Sequence, residues 1–143
     1  MTINRDMSKL VPAFRARVEL LLERMHARGF DAMVWETYRS RGRAAELADL
    51  GTGVKDSMHT LGLAVDIVSR SKKWGASEDF WTALGEEAEA LSLTWGGRWP
   101  TRPDKPHVQA IPVSAQGNAR KLAARELDAF SAKYMAPLPE RTA

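Results

Sequence analysis

The chain has no cysteine among its 143 residues. Neither a disulfide nor a thiolate ligand is available, so any metal site must be built from histidine and carboxylate. Histidine is scarce too, with only His26, His59 and His107. Nowhere do the roughly 18 consecutive apolar residues of a membrane span occur, and the opening "MTINRDMSKLVPAF" lacks the apolar core of a secretory leader. The expectation is a chain made in the cytoplasm without a signal peptide and with no membrane part; a target beyond the membrane then requires a separate release partner. Charge of one sign is not gathered into blocks either. Twenty-one basic side chains face 18 acidic ones, for a net charge of +3. The pI near 9.4 permits attraction to a polyanion without demanding it. With no basic stripe interleaved with aromatics, no nucleic-acid partner is expected.

What is present suits one compact unit. With 44% hydrophobic residues, the length supports a single domain, taken as residues 1–136, with residues 137–143 as a C-terminal tail that frays; a monomer is expected. Phe14, Val18, Leu21 and Met25 recur at helical spacing after Pro12, which predicts a helix from about Pro12 to Arg28, ended by Gly29, with Met7 and Leu10 in its lead-in. His26 lies beside this stripe among arginines and reads as a surface residue. "AMVWET" and "LAVDIV" read as buried strands, and "RGRAAELADLG" between them as a short helix ending at Gly51. Ser77 is placed to cap a helix whose inner face carries Phe80, Trp81, Leu84, Ala88 and Leu91. The Trp-, Gly- and Pro-rich "LTWGGRWPTRPDK" reads as a structured loop or hairpin leading into the strand "HVQAI", and a last helix is expected from about Gly117 to Tyr134, burying Leu122, Leu127 and Phe130. This order gives an α+β class: a small, mainly antiparallel sheet flanked by helices.

Two polar stretches stand out against that framework. In "SMHTLGLAVDI", residues 57–67, His59 lies in a loop and Asp66 in the following strand, and a bend at Gly62 would let both side chains reach one point. A histidine beside a core strand is also compatible with a hydrogen-bonded structural role. Asp66, between Val65 and Ile67, costs several kcal/mol if buried alone, so it requires a cation, strong hydrogen bonds or a metal. In "DKPHVQ", His107 opens another apolar strand three residues after Asp104. Two histidines and one carboxylate make a catalytic zinc set with a position left for water. Asp104 is then a spare acid able to shuttle a proton, or alternatively the start of a turn before Pro106.

"SMHTLGLAVDI" resembles the S-x-H-x-x-G-x-A-x-D signature of the zinc D-Ala-D-Ala carboxypeptidase and L-alanyl-D-glutamate endopeptidase family, and "DKPHVQ" resembles its acid-x-x-His signature. "YRS" at 38–40 and "WGGRW" at 95–99 are similar to two further segments, in the family order. The resemblance implies a hedgehog/D,D-peptidase-like fold, zinc held by His59, Asp66 and His107, Asp104 as general acid and base, and substrate roles for Arg39 and Ser57. It also implies a bacterial peptidoglycan stem peptide as substrate. An aspartate at 104 resembles phage endolysins cutting the L-alanyl-D-glutamate bond, released by a holin-type partner, whereas the carboxypeptidase and dipeptidase branches carry glutamate there. One departure is Arg43-Ala44 where an Arg-Gln pair often stands. The rival readings are a D,D-carboxypeptidase or dipeptidase with the same zinc site, and a metal-bearing wall-binding domain without turnover.

Overall fold

A computed structural model describes residues 2–54 and 56–138. The first long element is helix α1, Pro12–Ala27, with proline in its first turn. Its inward stripe of Phe14, Val18, Leu21 and Met25 is fully buried, each side chain contributing roughly 1.5–3 kcal/mol of burial free energy. Arg17 shares that stripe; its guanidinium donates to the Leu91 carbonyl at 2.8 Å and to the Ala136 carbonyl, tying α1 to two later segments of the chain. His26 is exposed, its Nε2 lying 2.8 Å from the Ala32 carbonyl.

Strand β1, Ala32–Glu36, follows Gly29, which takes φ +87° at the turn. Helix α2 spans Arg41–Asp49 and is capped by Ser40, whose hydroxyl accepts from the Arg43 N–H. Strand β2, Ala64–Ser69, and helix α3, Glu78–Ala90, come next. Ser77 caps α3 as the sequence predicts, accepting from the Phe80 N–H, and Phe80, Trp81, Leu84 and Ala88 are buried along it. Strands β3, Thr94–Trp95, and β4, His107–Gln109, complete a four-stranded sheet of order β1-β2-β4-β3 in which every pairing is antiparallel. The helices α1 and α3 pack together beside it over one continuous core, the expected α+β class.

The closing helix differs from the sequence reading. Instead of one helix over 117–134 there are two short ones, α4, Gln116–Arg120, and α5, Leu127–Ala132. Between them Ala123 is extended, with ψ 150°. The break lets α5 fold back onto α1: Leu127 becomes buried and the Asp128 carboxylate accepts from the Ala13 N–H at 2.7 Å, satisfying a backbone donor of the first turn of α1. Leu122 and Phe130 are only partly buried. No glycine or proline marks this break, because a tertiary contact overrides helix propensity there. Of the proposed tail, residues 139–143 lie outside the described residues.

Candidate metal and active site

Asp66 and His107 are direct cross-strand partners on β2 and β4, so their side chains leave the same face of the sheet. His59 arrives from a 3₁₀ turn, Met58–Leu61, whose start is capped by Ser57: its buried hydroxyl accepts from the His59 N–H. The turn ends at Gly62 with φ +70°, where a Cβ would also lie 2.5 Å from the Lys9 carbonyl oxygen. Glycine is therefore required there twice over, by conformation and by contact. The chain after β1 fastens this turn from the other side. His59 Nδ1 lies 2.7 Å from the Thr37 carbonyl, and the Arg39 N–H donates to the His59 carbonyl at 3.1 Å.

The result is a convergence. His59 Nε2 lies 3.3 Å and His107 Nδ1 3.7 Å from Asp66 Oδ1. One ligand-type atom from each residue falls within 4.8 Å of the others, the one such trio among the described residues. A tetrahedral zinc with ligand bonds near 2.0–2.1 Å needs ligand atoms about 3.3 Å apart, close to these separations. Tautomers make a stricter fit test. A carbonyl can only accept, so His59 Nδ1 must carry the proton, leaving the Nε2 lone pair facing Asp66; that Nε2 is buried with no hydrogen-bond partner. His107 Nε2 lies 2.7 Å from Gln109 Oε1, which leaves Nδ1 as its inward lone pair. Two neutral imidazole lone pairs and a carboxylate oxygen aimed at one point are a metal donor set.

Asp66 is held from behind. Arg39 donates through Nη2 to Asp66 Oδ2 at 3.0 Å and through Nε to Glu36 Oε1 at 2.9 Å. Glu36 is fully buried and also takes Arg43 on both oxygens. Burial alone would raise the Asp66 pKa, but when the rings are protonated the His59 charge and donation from His107 and His59 outweigh it and hold the carboxyl well below its usual range; with neutral rings the two lone pairs face the carboxylate instead. For His107, burial disfavours the charged form, yet the Asp66 carboxylate beside it raises the pKa overall.

Asp104 stands at the open side, half-exposed, with Oδ2 4.0 Å from His107 Nδ1. Burial and then the Asp66 negative charge raise its pKa. Its position depends on Gly96, whose carbonyl accepts from the Asp104 N–H at 2.9 Å. A Cβ on Gly96 would meet the Asp104 carbonyl at 2.5 Å and His107 Cβ at 3.0 Å. The preceding Trp95 is buried and anchors the loop, its Nε1 donating to the Lys105 carbonyl at 2.7 Å. Trp99 lies over the site, its ring centre 5.0 Å from that of His107. Trp74 is exposed and packs edge-on against Trp35, and Trp81 belongs to the core.

The structure thus brings together His59, Asp66, His107, Asp104, Arg39 and Ser57. Sequence reading missed Glu36, Arg43, Thr37, Gln109 and the loop role of Gly96. Glu36 carried a signal: a carboxylate in an apolar strand with arginines three and seven residues on.

A buried two-histidine, one-aspartate cluster on an antiparallel sheet, with a spare acid beside it, is a donor set that could hold a metal next to a proton acceptor. A family model described as D-alanyl-D-alanine carboxypeptidase matches residues 51–110, which contain all three clustered residues and Asp104. The L-alanyl-D-glutamate peptidase of Listeria phage A118 is 30% identical over 111 residues, covering 73% of this chain; the chain spans only 39% of that protein's length. The peptidoglycan L-alanyl-D-glutamate endopeptidase CwlK of Bacillus subtilis (strain 168) is 28% identical over 126 residues, covering 73% of this chain and 75% of its own. Among solved structures, the Serratia marcescens L-Ala D-Glu endopeptidase ChiX matches with TM-score 0.56 and 27% identity over 72% of this chain and 81% of its own. The chain is thus similar to the D-alanyl-D-alanine carboxypeptidase family over residues 51–110 and to single L-alanyl-D-glutamate peptidases over about three quarters of its length.

Proposed function

We propose that this chain is a zinc-dependent peptidoglycan hydrolase that cuts the bond between L-alanine and D-glutamate in stem peptides. The observation that carries the reading is the convergence of His59 Nε2, Asp66 Oδ1 and His107 Nδ1 beside Asp104. The bond is assigned from the activities in the names of the Listeria phage, Bacillus and Serratia relatives. With imidazole and carboxylate ligands and no thiolate, zinc fits the donor set.

A zinc ion held there would supply a water acidified to a pKa of about 7 and a Lewis acid for the scissile carbonyl. Asp104 accepts the proton of the attacking water and delivers it to the leaving amine of D-glutamate. Its raised pKa favours the first of these steps, since a more basic carboxylate is the better proton acceptor. Arg39 braces Asp66 and presents positive charge toward a substrate carboxylate or the attacked carbonyl, and Ser57 shapes the His59 turn at the substrate side. Trp99 covers one side of His107, its ring tilted against the imidazole.

In this reading the chain acts as one catalytic domain over residues 1–136, a monomeric endolysin let through the membrane by a holin-type partner, with no nucleic acid or membrane bound. The modest positive charge favours an anionic wall. The test is mass spectrometry of fragments released from purified peptidoglycan, with chelator and with zinc restored. New ends at L-alanine and D-glutamate that vanish with chelator are expected. Release of terminal D-alanine alone moves the assignment to the carboxypeptidase branch, and no cleavage under any condition refutes it.

A further inference from the structure

Gln109 is fully buried and two residues beyond His107 on β4, so both side chains leave the same face of the strand. Its amide nitrogen donates to the Ile111 carbonyl at 2.8 Å and to Gln116 Oε1 at 2.9 Å. The Ile111 contact removes any ambiguity over which end of the amide faces where. A backbone carbonyl accepts only, so the group facing it must be the NH₂, and the oxygen is left to face His107 Nε2 at 2.7 Å. That oxygen in turn can only accept. His107 must therefore carry its proton on Nε2, and the lone pair on Nδ1 is turned toward Asp66.

We propose that Gln109 is a positioning residue that fixes the tautomer and ring orientation of His107, and that Gln116, the first residue of α4, holds Gln109 in place. This rests on the reading of His59, Asp66 and His107 as metal ligands, and it adds to that reading the residue that selects the coordinating nitrogen. The short helix α4 thereby carries the far end of a polar relay, Gln116 to Gln109 to His107, that runs from the surface to the candidate metal position. The two histidines are locked by different devices, His59 by a main-chain carbonyl and His107 by a side chain. Only the second can be removed by substitution.

The test is long-range ¹H–¹⁵N spectroscopy of the histidine rings, with zinc affinity measured by competition against a chelating dye. In the wild-type protein, zinc-loaded and also metal-free at about pH 9, where imidazole is neutral, His107 is expected as the Nε2–H tautomer. Finding the Nδ1–H form in the metal-free protein overturns the proposal whatever the variants do. Gln109→Met keeps the volume and removes the acceptor; it is expected to lose the tautomer preference and to weaken zinc binding by about 10–100-fold. Gln109→Glu keeps an acceptor and is expected to retain both the Nε2–H form and zinc affinity within a fewfold of wild type. A purely structural role predicts that both variants lose thermal stability together while the His107 spectrum stays unchanged, and that pattern overturns the proposal. If Gln109→Met does not fold, the wild-type and Gln109→Glu spectra still decide it. Because none of these readouts is peptidase activity, an inactive wild-type chain that binds zinc through His107 Nδ1 would refute the proposed function and leave this inference standing.

Discussion

Replacing Gly96 with alanine tests whether the glycine-rich loop serves the chemistry or merely the fold. The new Cβ would lie 2.5 Å from the Asp104 carbonyl oxygen, 3.0 Å from His107 Cβ and 3.3 Å from Asp104 Cβ. Reaching an ordinary contact of 3.4 Å requires the Asp104 carbonyl to retreat by about 0.9 Å. Neither neighbour is a flexible side-chain end, so the movement falls on the backbone turn in which the Asp104 carbonyl accepts from the His107 N–H. Overpacking of this kind costs about 1–3 kcal/mol of stability, which a domain of this size survives. A displacement of about 1 Å at a proton-transfer group costs on the order of 100-fold in rate. Gly96→Ala should therefore remain folded by circular dichroism, keep most of its zinc, and lose roughly 100-fold in kcat/KM on a stem-peptide substrate. The control is Gly117→Ala, where no heavy atom lies within 4 Å of the new Cβ. Wild-type turnover in Gly96→Ala would show that the loop yields without moving Asp104, and the reasoning would fail.

Asp104→Asn should bind zinc like wild type and lose about 100- to 10,000-fold in kcat; retained turnover would assign the proton transfer elsewhere. Glu36→Gln weakens the acceptor shared by Arg39 and Arg43 in a buried site; a loss of about 3–5 kcal/mol in urea unfolding should come with weaker zinc binding, since Arg39 is then less firmly set against Asp66, and unchanged affinity would separate the two arginine contacts. Asp31 accepts from Ser71 and Ser69, and those hydrogen bonds hold its pKa far below the usual carboxylate value. A depressed folded-state pKa contributes stability that is complete above the unfolded value near 3.9 and is lost as the pH falls below it. The gap in urea midpoint between wild type and Asp31→Asn should thus be widest near neutral pH and shrink as the pH drops through 4 toward 2, and a pH-independent gap would contradict the assignment.

The cluster of His59, Asp66 and His107 was legible because Asp66 broke an apolar strand, where a carboxylate demands a partner, and the structure sets His107 opposite it on β4. The same logic applied to Glu36 would have located the arginine pair behind the site. That step fails from spacing alone, since Glu36, Arg39 and Arg43 meet only because β1 ends in a turn into α2 that points both arginines back. Gln109 looked like an ordinary polar residue of a strand, and its partners lie in Ile111 and α4, outside any local pattern. The divided C-terminal helix was hidden for the opposite reason: its sequence is locally helical throughout, and only the contact of Asp128 with α1 explains the break. Trp81 and Trp95 belong to the core, whereas Trp99 faces the site; composition alone does not separate these fates.

The lead-in before α1 has a bearing on how the site comes together. Thr37, whose carbonyl fixes His59, donates its own N–H to the Asn4 carbonyl and its hydroxyl to the Asp6 carbonyl, while the Val11 N–H donates to the Gly62 carbonyl at the end of the ligand turn. Residues 4–11 thus act as a strap across two loops that follow much later in the chain, and contacts of such long sequence separation are slow to form. Under the proposed function, metal affinity would then depend on a stretch that contributes no residue to the cluster of His59, Asp66 and His107. Trimming that strap, or pulling on it with a bulky N-terminal fusion, would release His59 from its setting, so a tag for handling this protein belongs at the other end.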